Sequence, residues 1–279
     1  MIEGKNRITP EGIETEFLTE NEFKLLPYLD SKIYIESAFA RFTGWHSSYD
    51  NMHPDWKDRV RVQRQLSNCF VEAYKRKKFS KKDDKETKVL FLGASLGSIA
   101  TLFFYSEWKE MFGSKGLEIH IVDLIEEPLI RTKSGDFELS NAALKDCDLN
   151  GNVTEEDYKN ILKECHIHES NVISLPEDLS DFDIVIAPYI HHHLNIYDKK
   201  KACEEIYRVT KQGGIILIGD LYFEYNDFNL WLKRHKAEDF PYAIESFINK
   251  EMHRQYLGNT ELITELQNDF SYAFCVKKI

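Results

Sequence analysis

The stretch "KVLFLGASLGSIA", residues 88–100, decides how the rest of the chain is read. Its first half is a short apolar run. Its second half sets small residues at Gly93, Ala94, Ser95 and Gly97 before the helix-like "SIATLFFYSEWKEMFG", for which Gly113 is the expected stop. An apolar strand that runs into a small-residue turn and then a helix is the opening of a strand–helix–strand unit. Small side chains let the backbone turn tightly and approach a ligand, and the free N–H groups of the helix start suit a carboxylate or phosphate. The strict GxGxxG spacing is absent, so a plain strand-to-helix turn competes with ligand binding for this segment.

Working outward, "LEIHIVD" (117–123), "FDIVIAP" (182–188) and "GGIILIGD" (213–220) are further short apolar runs, with helical segments such as "DKKKACEEIYRVTKQ" between them. Continuous apolar strands alternating with helices predict an α/β fold, a doubly wound, mostly parallel sheet covered on both faces. Ligands of such sheets sit at the carboxyl ends of the strands. "FSYAFCVKKI" reads as a final strand by alternation, and no strand is evident just before it. The first 87 residues read as a mostly helical cap: Pro54 suits a first helical turn, and Trp56, Val60, Leu66, Phe70 and Tyr74 follow at helical spacing. The charged "SKKDDKET" at 80–87 is the predicted connector to a second domain over 88–279.

Composition narrows the partners. Of 279 residues 42% are hydrophobic and 30% charged, as in ordinary globular proteins, and the net charge of -11 argues against nucleic acid as a ligand. The basic run "KRKKFSKK" at 75–82 is read as a solvated helix end. Five scattered cysteines without CxxC spacing suit free thiols in a reducing compartment, and no apolar leader opens the chain, so a cytoplasmic location is expected. "VLFLGASLGSIATLFF" is too short and too interrupted to span a membrane.

Asp123 closes the second strand 30 residues after Gly93, the distance a strand–helix–strand unit requires. A carboxylate there can accept hydrogen bonds from both hydroxyls of a ribose, or else cap the next helix. The fourth apolar run leads into "APYIHHHLN", residues 187–195, with three consecutive histidines. Adjacent side chains cannot converge on one mononuclear metal, whereas one or two of them can face a pocket as a base. His191 and His192, with Tyr189, are the candidates.

A separate stretch, "DCDLNGNVTEED" at 146–157, fits a calcium-loop pattern. Asp146, Asp148, Asn150 and Asp157 would ligate by side chain and Asn152 by its carbonyl, with Gly151 in the turn. A turn at Asn150-Gly151 followed by a Thr154–Asp157 helix cap explains the same residues without an ion.

"VLFLGASLGS", "IHIVDLIEEPL", "FDIVIAPYIHHHL" and "RVTKQGGIILIGD" occur in the order and context of class I S-adenosylmethionine-dependent methyltransferases, which the chain resembles over roughly residues 88–220. The resemblance implies a Rossmann-like methyltransferase fold and S-adenosylmethionine as cofactor, with calcium as a second ion if the 146–157 loop binds. It implies methyl transfer to an oxygen or nitrogen of a small molecule or peptide. By the same resemblance Gly93, Ala94, Ser95 and Gly97 would lie under the methionine moiety and Asp123 would hold the ribose. Leu124 would pack on the adenine, Asp178 would be the adenine-side acid, and Ala187, Pro188 and Tyr189 would border the sulfonium. Extra length at about 131–170 reads as an insertion, and the aromatic-rich 41–56 and 221–258 as lid and acceptor-pocket segments. Two departures stand out: Phe91 replaces the family's usual acid two positions before the first glycine, and Ser95 replaces its middle glycine. "GASLGSIA" with Tyr197 and Lys201 also resembles short-chain dehydrogenases, where that tyrosine would be the acid and NAD(P) the cofactor. A non-catalytic binding protein of the same fold is the remaining alternative.

Overall fold

The structure, a computed structural model, describes residues 20–25, 54–81, 85–94, 98–135, 153–227, 247–268 and 270–279. In chain order its helices are α1 (Glu20–Leu25), α2 (Pro54–Lys75), α3 (Ile99–Phe112), α4 (Glu126–Ser134), α5 (Glu155–Glu164), α6 (Ile196–Val209) and α7 (Lys250–Leu257). Its strands are β1 (Thr87–Leu92), β2 (Leu117–Asp123), β3 (His166–Glu169), β4 (Phe182–Pro188), β5 (Thr210–Leu221), β6 (Thr260–Gln267) and β7 (Ser271–Lys278). They form one seven-stranded sheet in the order β3-β2-β1-β4-β5-β7-β6. The pairs from β3 to β5 are parallel, and β7 runs antiparallel to both β5 and β6. The expected doubly wound, mostly parallel sheet is present.

Burial follows the period of two that a sheet buried on both faces requires. Val89 and Phe91 of β1 face a core formed with α2 and α3, while Leu90 and Leu92 face one formed with α6 and α7. On the first face Phe70, Phe104 and Trp108 pack together, with Phe70 and Phe104 ring centroids 4.7 Å apart. Each such aromatic contributes about 1.5–3 kcal/mol by leaving water. Phe91 is fully buried against Phe104, so the position where an acid was expected is a core position. The basic run after α2 ties down the outer strand: Arg76 Nη1 donates to the Ile263 carbonyl at 2.6 Å, and Lys78 pairs with Glu261 at 2.6 Å. The run is nonetheless a largely exposed helix end, as expected.

Two strands were not anticipated. The supposed insertion at 131–170 contains α5 and the edge strand β3, and "TELITELQ" at 260–267 supplies β6. Cys69, Cys165, Cys203 and Cys275 are free and buried. Among the described residues no helix is long and apolar enough to cross a membrane. The lid segment at 41–53 and most of the aromatic segment after β5 lie outside the described residues.

Candidate functional site

The site forms where β1 and β4 lie side by side and their following segments leave in opposite directions, the place where open α/β sheets bind ligands. Gly93 sits in the pocket floor with φ +103°, and a Cβ added to it would come within 2.9 Å of Ile190 Cγ2. Only glycine meets both conditions without strain. Its N–H donates to the Val122 carbonyl at 2.7 Å, which ties the turn to β2.

Asp123 is 7% exposed and organises the same turn. Its Oδ2 accepts from the Ala94 N–H at 2.7 Å and its Oδ1 from the Ile125 N–H at 3.0 Å. Each carboxylate oxygen can accept more than one hydrogen bond. Leu124 lines the pocket and is 38% exposed, an apolar surface open to a planar ring. Ser170 and Asn171, just past β3, form the opposite polar wall. Asp178, expected there, lies instead on an exposed turn outside the pocket, whose wall past β3 is formed by residues 170–172.

Beyond β4 the chain turns sharply. Pro188 and Tyr189 line the pocket, whereas Ala187 is fully buried in the core beneath. Tyr189 adopts φ +56°, a left-handed conformation that costs a non-glycine residue of order 1 kcal/mol or more, and its N–H donates to the Gly219 carbonyl at 2.8 Å. The turn runs into a single 3-10 turn, His191–His193. His191 is 0% and His192 3% exposed, both pointing away from the pocket, while the half-buried His193 lines it. Of the three histidines, His193 and not the expected His191 or His192 lines the pocket. Consecutive residues in the tight turn diverge, and only the third faces the opening.

The two inward histidines join a buried polar group. His192 Nδ1 lies 2.6 Å from Asp220 Oδ1 at the end of β5. His191 Nδ1 lies 3.9 Å from Asp220 Oδ2, and burial pushes the His191 pKa down to about 4 despite that carboxylate. Its imidazole is therefore neutral near pH 7.

The remaining sequence candidates separate cleanly. Ser95 and Gly97 lie outside the described residues, as do Asp146, Asp148, Asn150 and Asn152. Asp157 caps α5: its Oδ2 accepts from the Thr154 N–H at 2.7 Å and lies 2.6 Å from Lys109 Nζ. A cation at that oxygen would have to displace an ammonium. Tyr197 is 67% exposed at the start of α6, and Lys201 pairs there with Asp198 at 3.5 Å, outside the pocket. The tyrosine–lysine pair is a solvated helix face, which removes the support for the dehydrogenase alternative.

Comparison with known proteins agrees with this architecture. Residues 116–218 match the family described as a methyltransferase domain. An uncharacterized methyltransferase of Alkaliphilus oremlandii (strain OhILAs) is 26% identical over 121 residues, 43% of this chain, and the chain spans about half (54%) of that relative's length. The magnesium protoporphyrin IX methyltransferase of Synechocystis PCC 6803, solved with bound SAM, superposes with a TM-score of 0.50 at 12% identity. That match covers 90% of this chain and 98% of the other. A putative sarcosine dimethylglycine methyltransferase of Galdieria sulphuraria gives the same TM-score of 0.50 and identity of 12%, covering 87% and 97% of the two chains. At such identities these structures speak to the fold.

Proposed function

We propose that the chain, whose residues 116–218 match a methyltransferase domain, transfers a methyl group from S-adenosylmethionine to an oxygen or nitrogen of a small molecule or peptide. The observation that carries this reading is the meeting of Gly93 and Asp123 in one pocket, a bare backbone surface beside a carboxylate. The residues fit the cofactor: Gly93 would leave room for its methionine portion, Asp123 would accept from the ribose hydroxyls, and Leu124 and Val172 would offer apolar surface to the adenine. When bound, the cofactor supplies an electrophilic methyl group on a sulfonium. Pro188 and Tyr189, which line the pocket, would help exclude water from the transfer. His193 takes the proton released by the acceptor, since it alone of the three histidines reaches the pocket.

Titration with S-adenosylmethionine, S-adenosylhomocysteine and NADPH tests the reading. The first two should bind competitively and NADPH should not; failure of both sulfur ligands to bind refutes it. For the base, His193→Asn should lower turnover far more than cofactor affinity, with His192→Asn as the comparison. Equal turnover in wild type and His193→Asn removes that role.

A further inference from the structure

On the face of the sheet that Leu90 and Leu92 share, α6 and α7 pack against β5 and β7 around side chains whose chemistry the methyl-transfer reading does not use. One nitrogen of His191, Cys203 Sγ and one nitrogen of His253 all lie within 4.8 Å of one another, and the three residues are each 0% exposed. They come from the 3-10 turn, α6 and α7, so chain proximity does not explain the convergence.

The hydrogen bonds around them leave lone pairs directed inward. Tyr272 donates its hydroxyl proton to the Ile248 carbonyl at 3.0 Å, so its oxygen accepts from His253 Nδ1. That fixes the tautomer of a neutral His253: Nδ1 carries the proton and Nε2 the lone pair. Nε2 is buried and makes no hydrogen bond, an arrangement that costs about 1–3 kcal/mol unless something occupies it. On the other side His191 Nδ1 faces Asp220 Oδ2 at 3.9 Å, and His191 Nε2 faces Cys203 Sγ at 3.9 Å. Ligating histidines characteristically have their second nitrogen held by an outer carboxylate or polar group; Tyr272 does this for His253, and Asp220 lies nearest to His191 Nδ1 without a hydrogen bond.

We propose that His191, Cys203 and His253 bind one zinc-class transition-metal ion. Two imidazoles and a thiolate are ligands that zinc accepts, and the 3.9 Å between sulfur and nitrogen is close to the roughly 3.6 Å such ligands subtend across a tetrahedral zinc. Binding replaces the Cys203 thiol proton with the metal. The Asp220 carboxylate offsets part of the ion's charge, against the opposing ammonium of Lys199, which donates to the Leu194 carbonyl nearby. The ion would clamp the turn after β4, which also lines the proposed methyl-transfer pocket, to α6 and α7. Full burial of all three ligands means that loading accompanies folding.

The test measures metal in the full chain, as isolated and after unfolding and refolding with Zn2+. One zinc per chain is expected, with Cys203→Ser losing at least about fivefold of it while its far-UV circular dichroism is unchanged. Equal zinc in both proteins would place the ion elsewhere, for instance at Glu118, His120 and His166 on β2 and β3, and overturn the proposal. Absence of zinc from both would do the same. Should Cys203→Ser not fold, refolding wild type with Co2+ decides: a thiolate-to-cobalt charge-transfer band supports the site, and its absence rejects it. Binding of S-adenosylhomocysteine, measured on the same samples, reports separately on the methyl-transfer reading.

Discussion

Replacing Asp123 by asparagine separates the two tasks its carboxylate performs. In the native turn the two oxygens hold the N–H groups of Ala94 and Ile125 at 2.7 and 3.0 Å. An asparagine has one oxygen, so one of these backbone donors must face an amide NH2, and a buried unsatisfied donor costs about 1–3 kcal/mol. At roughly 2–4 °C per kcal/mol for a domain of this size, the melting temperature should fall by roughly 2–12 °C. Toward the proposed cofactor, the loss is the charge that strengthens the hydrogen bonds to the ribose hydroxyls, each worth about 1.5–3 kcal/mol when the acceptor is ionised. Losing about 2–4 kcal/mol in total weakens binding roughly 30- to 1000-fold, at about 1.4 kcal/mol per tenfold. Calorimetric titration of Asp123→Asn with S-adenosylhomocysteine, beside a thermal melt, reads both numbers. Affinity within about threefold of wild type, with a lowered melting temperature, would reduce Asp123 to an anchor of the turn and refute its ligand role.

Other outcomes follow from the same coordinates. Gly93→Ala should destabilise by about 1–3 kcal/mol in denaturant melts, since its Cβ meets Ile190 Cγ2 at 2.9 Å and φ is +103°. Gly93→Ala combined with Ile190→Leu, which removes the methyl branch, should recover part of that loss; no recovery would assign all of it to backbone strain. Lys109, with Thr154, holds the Asp157 carboxyl down at about 2, below its unfolded value of 3.8. The stability it contributes is therefore complete above about pH 4 and lost as pH falls toward 2. Asp157→Asn should flatten that part of the acid-unfolding profile, and an unchanged profile would contradict the assignment. Thr154→Ala should cost about 1 kcal/mol through the cap. Trp108→Ala, fully buried between α2 and α3, should cost about 3–5 kcal/mol by chemical denaturation.

The parts of the fold visible in the sequence were those written in apolar side chains. β1, β2, β4 and β5 are buried on both faces, and such strands appear as uninterrupted runs. β3 was hidden because "HIHE" is a polar edge strand of 4 residues with one neighbour, and β6, also at an edge, has neither an apolar run nor a regular alternation, its register shifting at Leu262/Thr264. Gly93 and Asp123 were legible since each sits at the end of a recognisable strand. His193 was not, because which of three adjacent histidines faces a pocket depends on the φ +56° turn at Tyr189, invisible to spacing alone. Cys203 and His253 were unreadable as a pair for a related reason: 50 residues separate them, and only the packing of α6 on α7 brings them together.

The reversed strand β7 has a consequence for biosynthesis. It lies inside the sheet, between β5 and β6, although it is made after both. While a ribosome has translated only as far as residue 267, the outer edge of β5 lacks its partner and β6 has nothing to pair with. Unpaired edges of apolar strands invite other chains. The nascent chain therefore carries its most aggregation-prone surface until residues 271–278 emerge, and truncations that spare the whole pocket but remove this segment should yield insoluble protein.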